Sequence, residues 1–139
     1  MGRVSWGVLG LCVLVVGFAA YVRLAPETAA RWRLSGEEMV ALALGDYAQP
    51  GGFRAVRPYE GDWAAVEAVV LGTPRTRALA NWGAERLYVT RSAFWGFPDY
   101  TTVRLAGGRL DIYGRLRFGR SDLGVNRGRI LGWLARLKL

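Results

Sequence analysis

The chain has 139 residues, enough for one domain of ordinary size and not for two. Its composition is 52% hydrophobic with six tryptophans, which excludes a disordered chain because there is ample apolar surface to bury. With no histidine and one cysteine, it excludes Cys/His zinc sites, an intramolecular disulfide, His-dependent nucleophile pairs and a His haem ligand, while a net charge of +8 favours anionic partners.

Any acid–base chemistry therefore falls to the eleven carboxylates, the tyrosines or the arginines. Arginine supplies 18 of the 19 basic residues, and Lys138 is the only lysine. Beyond the N-terminal apolar segment the arginines run from Arg23 to Arg136, interleaved with carboxylates and dense only from Arg109 to Arg136, which is not the layout of a nucleic-acid surface. Neither a metal nor a cofactor is implied.

Between Arg3 and Arg23 lie 19 uncharged residues, Val4 to Val22. As a helix they extend about 28 Å, close to the ~30 Å of a bilayer core. Trp6 and Tyr21 stand near opposite ends, where amphipathic rings prefer the interface. The competing reading is a signal peptide cleaved after Gly17-Phe18-Ala19, but such peptides have a shorter apolar run and a more basic start. Cys12 lacks the small residues before it that lipoprotein processing favours. The expected division is an anchor over residues 1–24 and a single α+β domain over 25–139. Gly7, Gly10 and Gly17 fall on one helix face, where small residues let another membrane helix approach closely. Basic residues flank both ends, and counting them alone would put the domain in the cytoplasm.

After the exit at Ala25-Pro26-Glu27, Ser35 and Glu38 form a capping-box pattern, with Met39, Val40, Leu42 and Leu44 suggesting a short helix. Gln49 to Gly52 is a loop and Phe53 to Arg57 a strand. Asp62 caps a helix through Val66, Val69 and Val70 to Leu71, stopped by Gly72 and Pro74. Strands follow over Arg77–Asn81 and Arg86–Ser92. Thr101–Leu105 and Arg109–Phe118 make a hairpin across Ala106-Gly107-Gly108. In its second strand Leu110, Ile112, Leu116 and Phe118 share one face, and Arg109, Asp111, Tyr113, Arg115 and Arg117 the other. A last helix, capped by Ser121 or Asp122, turns Ile130, Trp133, Leu134 and Leu137 to the core. The fold class is α+β: an antiparallel sheet covered by helices, including the C-terminal one.

Two segments carry the candidate site, Trp95 to Asp99 and Gly114 to Arg127. Structurally, Asp99 can hold a turn and Asp122 a helix end, with Arg127 paired to it or in solvent. Functionally, Asp99, Arg115, Arg117, Ser121, Asp122, Asn126 and Arg127 are ligand or partner candidates, because two guanidiniums beside a helix N-terminus can receive a carboxylate or phosphate.

Tyr21-Val22-Arg23-Leu24-Ala25-Pro26 with Trp32, then Phe97-Pro98-Asp99, then Ser121-Asp122-Leu123-Gly124-Val125-Asn126-Arg127 resemble the bacterial and plastid family called domain of unknown function 1499. In the family pattern Ser-x-Ser-Arg precedes the last run; here Gly114 and Leu116 stand for the serines and Arg117 keeps the arginine. A histidine that commonly follows the tryptophan is Arg33. The resemblance implies a membrane-associated or exported domain and no particular reaction. It places the domain on the periplasmic side of a bacterial inner membrane.

The first functional expectation is a non-enzymatic accessory or assembly subunit of a larger membrane complex, meeting an integral membrane partner through the helix, with anionic lipid as a further partner. The second is a lipid or apolar-ligand carrier. The third is an enzyme built on Asp99, Asp122, Arg115 and Arg117.

Overall fold

The computed structural model describes residues 3–39 and 42–139. It opens with α1 (Arg3–Leu24), whose window Trp6–Leu24 has a mean hydropathy of 2.1 and is long and apolar enough to cross a membrane. From Trp6 onward only Val22 in this helix is buried, so the domain covers little more than its last turns.

A connector follows, with 3₁₀ turns at Ala29–Trp32 and Gly36–Met39. Then come β1 (Gly45–Gln49), β2 (Gly52–Pro58), α2 (Trp63–Leu71), β3 (Thr76–Asn81), β4 (Glu85–Arg91), β5 (Pro98–Ala106), β6 (Arg109–Leu116) and α3 (Val125–Arg136). The strands form one antiparallel sheet in the order β1-β2-β6-β5-β4-β3. With α2 and α3 packed on one face, the fold is α+β as expected.

Local chemistry accounts for these elements. Asp62 accepts from the Ala65 N–H at 3.0 Å and so satisfies one of the free donors at the start of α2. Strand residues alternate faces, which sends Phe53, Tyr88, Leu110 and Ile112 toward Val66 and Val70 of α2 and Ile130, Trp133 and Leu134 of α3. Trp133 Nε1 finds Thr73 Oγ1 at 2.7 Å, so the largest ring in this core leaves no buried donor unpaired.

The sheet's other face is also covered. Across β4 and β5 the connector lays Trp32 against Leu87, Val89 and Tyr100, forming a second, smaller core. The charged face expected of β6 is therefore not a solvent face: Tyr113 is buried, and Arg115 and Arg117 are half-buried.

A further expectation fails along the connector. In place of a helix from Ser35 to Leu44 there is a single 3₁₀ turn, and Leu42 and Leu44 lie outside any helix; Val40 is outside the described residues. The chain must reach β2's open edge, where Gly45–Gln49 pairs from Gly45↔Val56 to Gln49↔Gly52. Ladder hydrogen bonds outweigh a weak helical pattern there.

Candidate functional site

Where α1 meets the domain there is a cleft of about 440 Å³. Its walls are Phe18 of α1, Phe97 just before β5, Asp99 within β5, Leu116 at the end of β6, Phe118 just after it, and Ser121, Asp122 and Val125 leading into α3. The apolar side is an aromatic run, with Phe18 edge-on to Phe97 at 6.1 Å between centroids, Phe97 to Phe118 at 6.3 Å and Phe118 to Tyr21 at 6.0 Å. Such offset contacts suit ring quadrupoles.

The polar side is a chain of ionic hydrogen bonds. Arg129 donates from Nη2 to Asp99 Oδ2 at 3.1 Å and from Nη1 to Asn126 Oδ1 at 2.9 Å. The Asn126 N–H donates to Asp122 Oδ2 at 2.8 Å, and the Gly124 N–H to Asp122 Oδ1 at 3.1 Å. Ser121 Oγ accepts from the Leu123 N–H at 3.2 Å. Asp122 thus serves the first turn of α3 with its side chain while Gly124 occupies the N-cap position. Asn126 is fully buried, and its amide approaches the sheet only because residue 114 is glycine. A Cβ there would stand 2.6 Å from Asn126 Oδ1.

The two carboxylates are tuned in opposite senses. Burial raises the pKa of Asp99, the Arg129 guanidinium offsets this only in part, and Asp122 adds to the rise. Burial alone would raise Asp122 too, but hydrogen bonds from Asn126 and Gly124 outweigh it and hold this pKa below the ordinary carboxylate value.

The sequence candidates are thereby divided. Asp99, Ser121 and Asp122 line the cleft, with Asn126 buried behind it. Asp99 holds Arg129 rather than a turn. Arg127 is exposed, its guanidinium 5.8 Å from the centre of the Phe53 ring, not paired with Asp122. Arg115 and Arg117 face away from the cleft, because Asp99 pairs with Leu116 in the β5–β6 register and the residues flanking Leu116 point to the opposite face. The quartet required for carboxylate–arginine chemistry does not assemble. Among the described residues no three His, Cys, Asp or Glu side chains come together to hold a metal.

The two arginines instead clamp the connector. Arg115 Nη2 donates to Trp32 O at 2.6 Å and Thr102 Oγ1 at 2.8 Å, and Nη1 reaches Glu38 at 3.3 Å. Arg117 donates to Ala25 O and Pro26 O and pairs with Glu27 at 2.9 Å. Arg91 adds a third clamp, donating to Val22 O at the end of α1 and to Gly96 O at 2.8 Å. Cationic donors at free C-terminal carbonyls are favourable on both hydrogen-bond and dipole grounds. Arg91 and Arg129 carried no signal in the sequence beyond Arg129 standing three residues after Asn126 on one helix face.

This geometry defines a class: a small α+β domain strapped to the end of one long apolar helix. Residues 40–137, well over half the chain, match the family described as Protein of unknown function (DUF1499), and the chain belongs to that family. Tyr21 to Pro26 and Trp32, which also suggested the resemblance, lie before the matched region. No curated protein matches the chain.

Proposed function

We propose that this chain is a single-pass membrane protein that works by binding, and that its cleft takes a lipid or another apolar amphiphile. The supporting observation is the position of Phe18. It lies six residues before Leu24, about 9 Å along the helix axis, yet it packs on Phe97 and forms one wall of the cleft. With Trp6–Leu24 embedded, that aromatic wall stands at acyl-chain depth while Asp99, Ser121 and Asp122 supply a polar corner for a head group. The inner membrane is the proposed location and the periplasm the proposed side of the domain, an orientation supported by the exported character of the resemblance and opposed by the count of basic residues. A C-terminal alkaline phosphatase fusion tests it, since activity requires export and an inactive fusion places the domain inside.

The binding test is native mass spectrometry of the full chain released in mild detergent. Lipid adducts are expected on the wild type and are reduced by Val125→Trp, which fills the cleft mouth. An adduct-free wild type, or identical adducts on both proteins, defeats the reading.

A second reading, an accessory or assembly subunit of a larger membrane complex, is favoured by the open glycine face of α1. Among the described residues a Cβ at Gly7, Gly10 or Gly17 would meet nothing within 4 Å, so the described part of the domain does not pack on this face. A stoichiometric membrane partner that copurifies with the wild type and is lost from Gly10→Leu/Gly17→Leu supports this reading. Recovery of the protein alone in both cases removes it.

A further inference from the structure

On another side of the last turn of α1 lies a groove of about 390 Å³, adjoining the cleft at Ser92 and lined by Arg23, Arg75, Arg77 and Arg91, with Thr76. Four arginines line this space, and among the described residues none of them forms an ion pair with a carboxylate. Their protein partners are carbonyls: Arg23 Nη2 donates to Phe94 O at 2.8 Å, Arg75 Nε to Arg91 O at 3.0 Å and Arg91 Nη1 to Gly96 O at 2.8 Å. Those bonds orient the groups without neutralising them.

The backbone is shaped to hold them there. Gly96 has φ +74°, and a Cβ at that position would stand 3.2 Å from Arg23 Nε, so glycine lets this guanidinium lie against the chain. Arg75 sits at φ +58°, where non-glycine residues are uncommon, and is fixed by the Arg91 N–H donating back to Arg75 O at 3.0 Å. Like charges gathered at the cost of local strain call for an anion.

Position identifies its source. Arg23 is the penultimate residue of α1, which puts the groove at the level where an embedded helix leaves the bilayer. Phe94, 77% exposed, and Trp95 project beside it as an edge-to-face pair 5.1 Å apart. Exposed aromatic rings next to cationic side chains suit the head-group layer.

We propose that the groove of Arg23, Arg75, Arg77 and Arg91 binds the phosphate of an anionic phospholipid head group, with Phe94 and Trp95 inserted beside it. The inference rests on α1 spanning a membrane, although not on what occupies the cleft.

The test uses the full chain in mixed micelles of phosphatidylcholine and phosphatidylglycerol, with native mass spectrometry reading the enrichment of the anionic lipid. Each Arg near a bilayer surface contributes about fivefold, so Arg77→Gln should lower enrichment about fivefold and Arg75→Gln/Arg77→Gln about 30-fold. Arg109→Gln/Arg136→Gln, an equal loss of charge elsewhere, should leave enrichment unchanged. Because Arg77 is exposed and donates no side-chain hydrogen bond among the described residues, its single variant does not depend on refolding around a lost contact there. Equal losses from both doubles, or none from either, overturn the proposal. Displacement of the lipid by equimolar inorganic phosphate also overturns it, by making the groove a free-phosphate site. Flotation with vesicles separates the two failures. A protein that does not float refutes the membrane-spanning reading and this inference with it, whereas a protein that floats without Arg75- and Arg77-dependent enrichment refutes the inference alone.

Discussion

Replacing Trp32 with alanine tests whether the connector is held by its ring. The indole stacks on Tyr100 at 4.2 Å between centroids, donates from Nε1 to Glu27 Oε1 at 2.8 Å and is 8% exposed. Removing roughly 200 Å² of aromatic surface at about 25 cal/mol per Å² forfeits about 5 kcal/mol. A peripheral connector relaxes more than a central core, and unfolded chains bury some of that surface already, so the expected loss is about 3–4 kcal/mol. For a domain of this size, m in urea is about 1.5 kcal/mol/M, and the midpoint for the full chain in mild detergent should fall by roughly 2–3 M. Trypsin should also cut at Arg31 and Arg33 well before global unfolding, because Arg115 and Arg117 bind a connector whose main apolar contact is gone. Trp32→Phe, which keeps a ring on Tyr100, should recover most of the midpoint. If Trp32→Ala unfolds within about 0.5 M of wild type and its connector stays protease-resistant, the second core holds nothing together.

Three further outcomes follow from other contacts. Asp111 meets Arg54 in two bonds, Nε to Oδ1 at 2.8 Å and Nη2 to Oδ2 at 2.6 Å, with Arg54 buried. Asp111→Ala should cost about 3–5 kcal/mol by stranding that cation, while Arg54→Met/Asp111→Leu should stay within about 2 kcal/mol of wild type, both read by urea unfolding. In the cleft, Asp99 has a folded pKa above its ordinary 3.8, so its contribution is full below that value and is lost as pH rises through the raised one; the lowered pKa of Asp122 contributes above 3.8 and is lost as pH falls through the depressed one. On acidification from neutral pH, Asp99→Asn should therefore lose more stability than wild type and Asp122→Asn less. Asp62→Ala should lower stability by about 1 kcal/mol, the usual cost of a lost N-cap, with no change in lipid adducts.

Much of the fold is legible where local chemistry and periodicity agree. Asp62, the valines and Gly72 mark α2, and the alternation from Leu110 to Ile112 with Gly107-Gly108 before it marks the β5–β6 hairpin. β1 was hidden because an edge strand of Gly-Asp-Tyr-Ala-Gln has little apolar pattern to show, while the leucines just before it have a helical one. Of the candidate site, Asp99, Ser121 and Asp122 do converge, although they come from separate runs of the chain. The arginine clamps could not be read in advance, since Arg115 and Arg117 bind main-chain carbonyls 83 and 92 positions away and a carbonyl has no residue signature. The same is true of the Arg23, Arg75, Arg77 and Arg91 groove, whose members only the β3–β4 pairing and the end of α1 bring together.

The clamps on Val22, Ala25, Pro26 and Trp32 leave no slack between helix and domain, and that has a mechanical consequence. Spanning helices lean about 20° on average and change their lean with bilayer thickness. A flexible tether would absorb such a change, whereas with α1 spanning a bilayer, as proposed, these clamps would turn it into a rotation of the whole domain. At the far rim, about 30 Å away, each 10° of lean is about 5 Å of travel. Fluorescence transfer from the rim turn at Gly107 to labelled head groups, compared in thin and thick bilayers, reads that lever directly: a changing distance shows a stiff joint, and a constant one shows that the clamps yield.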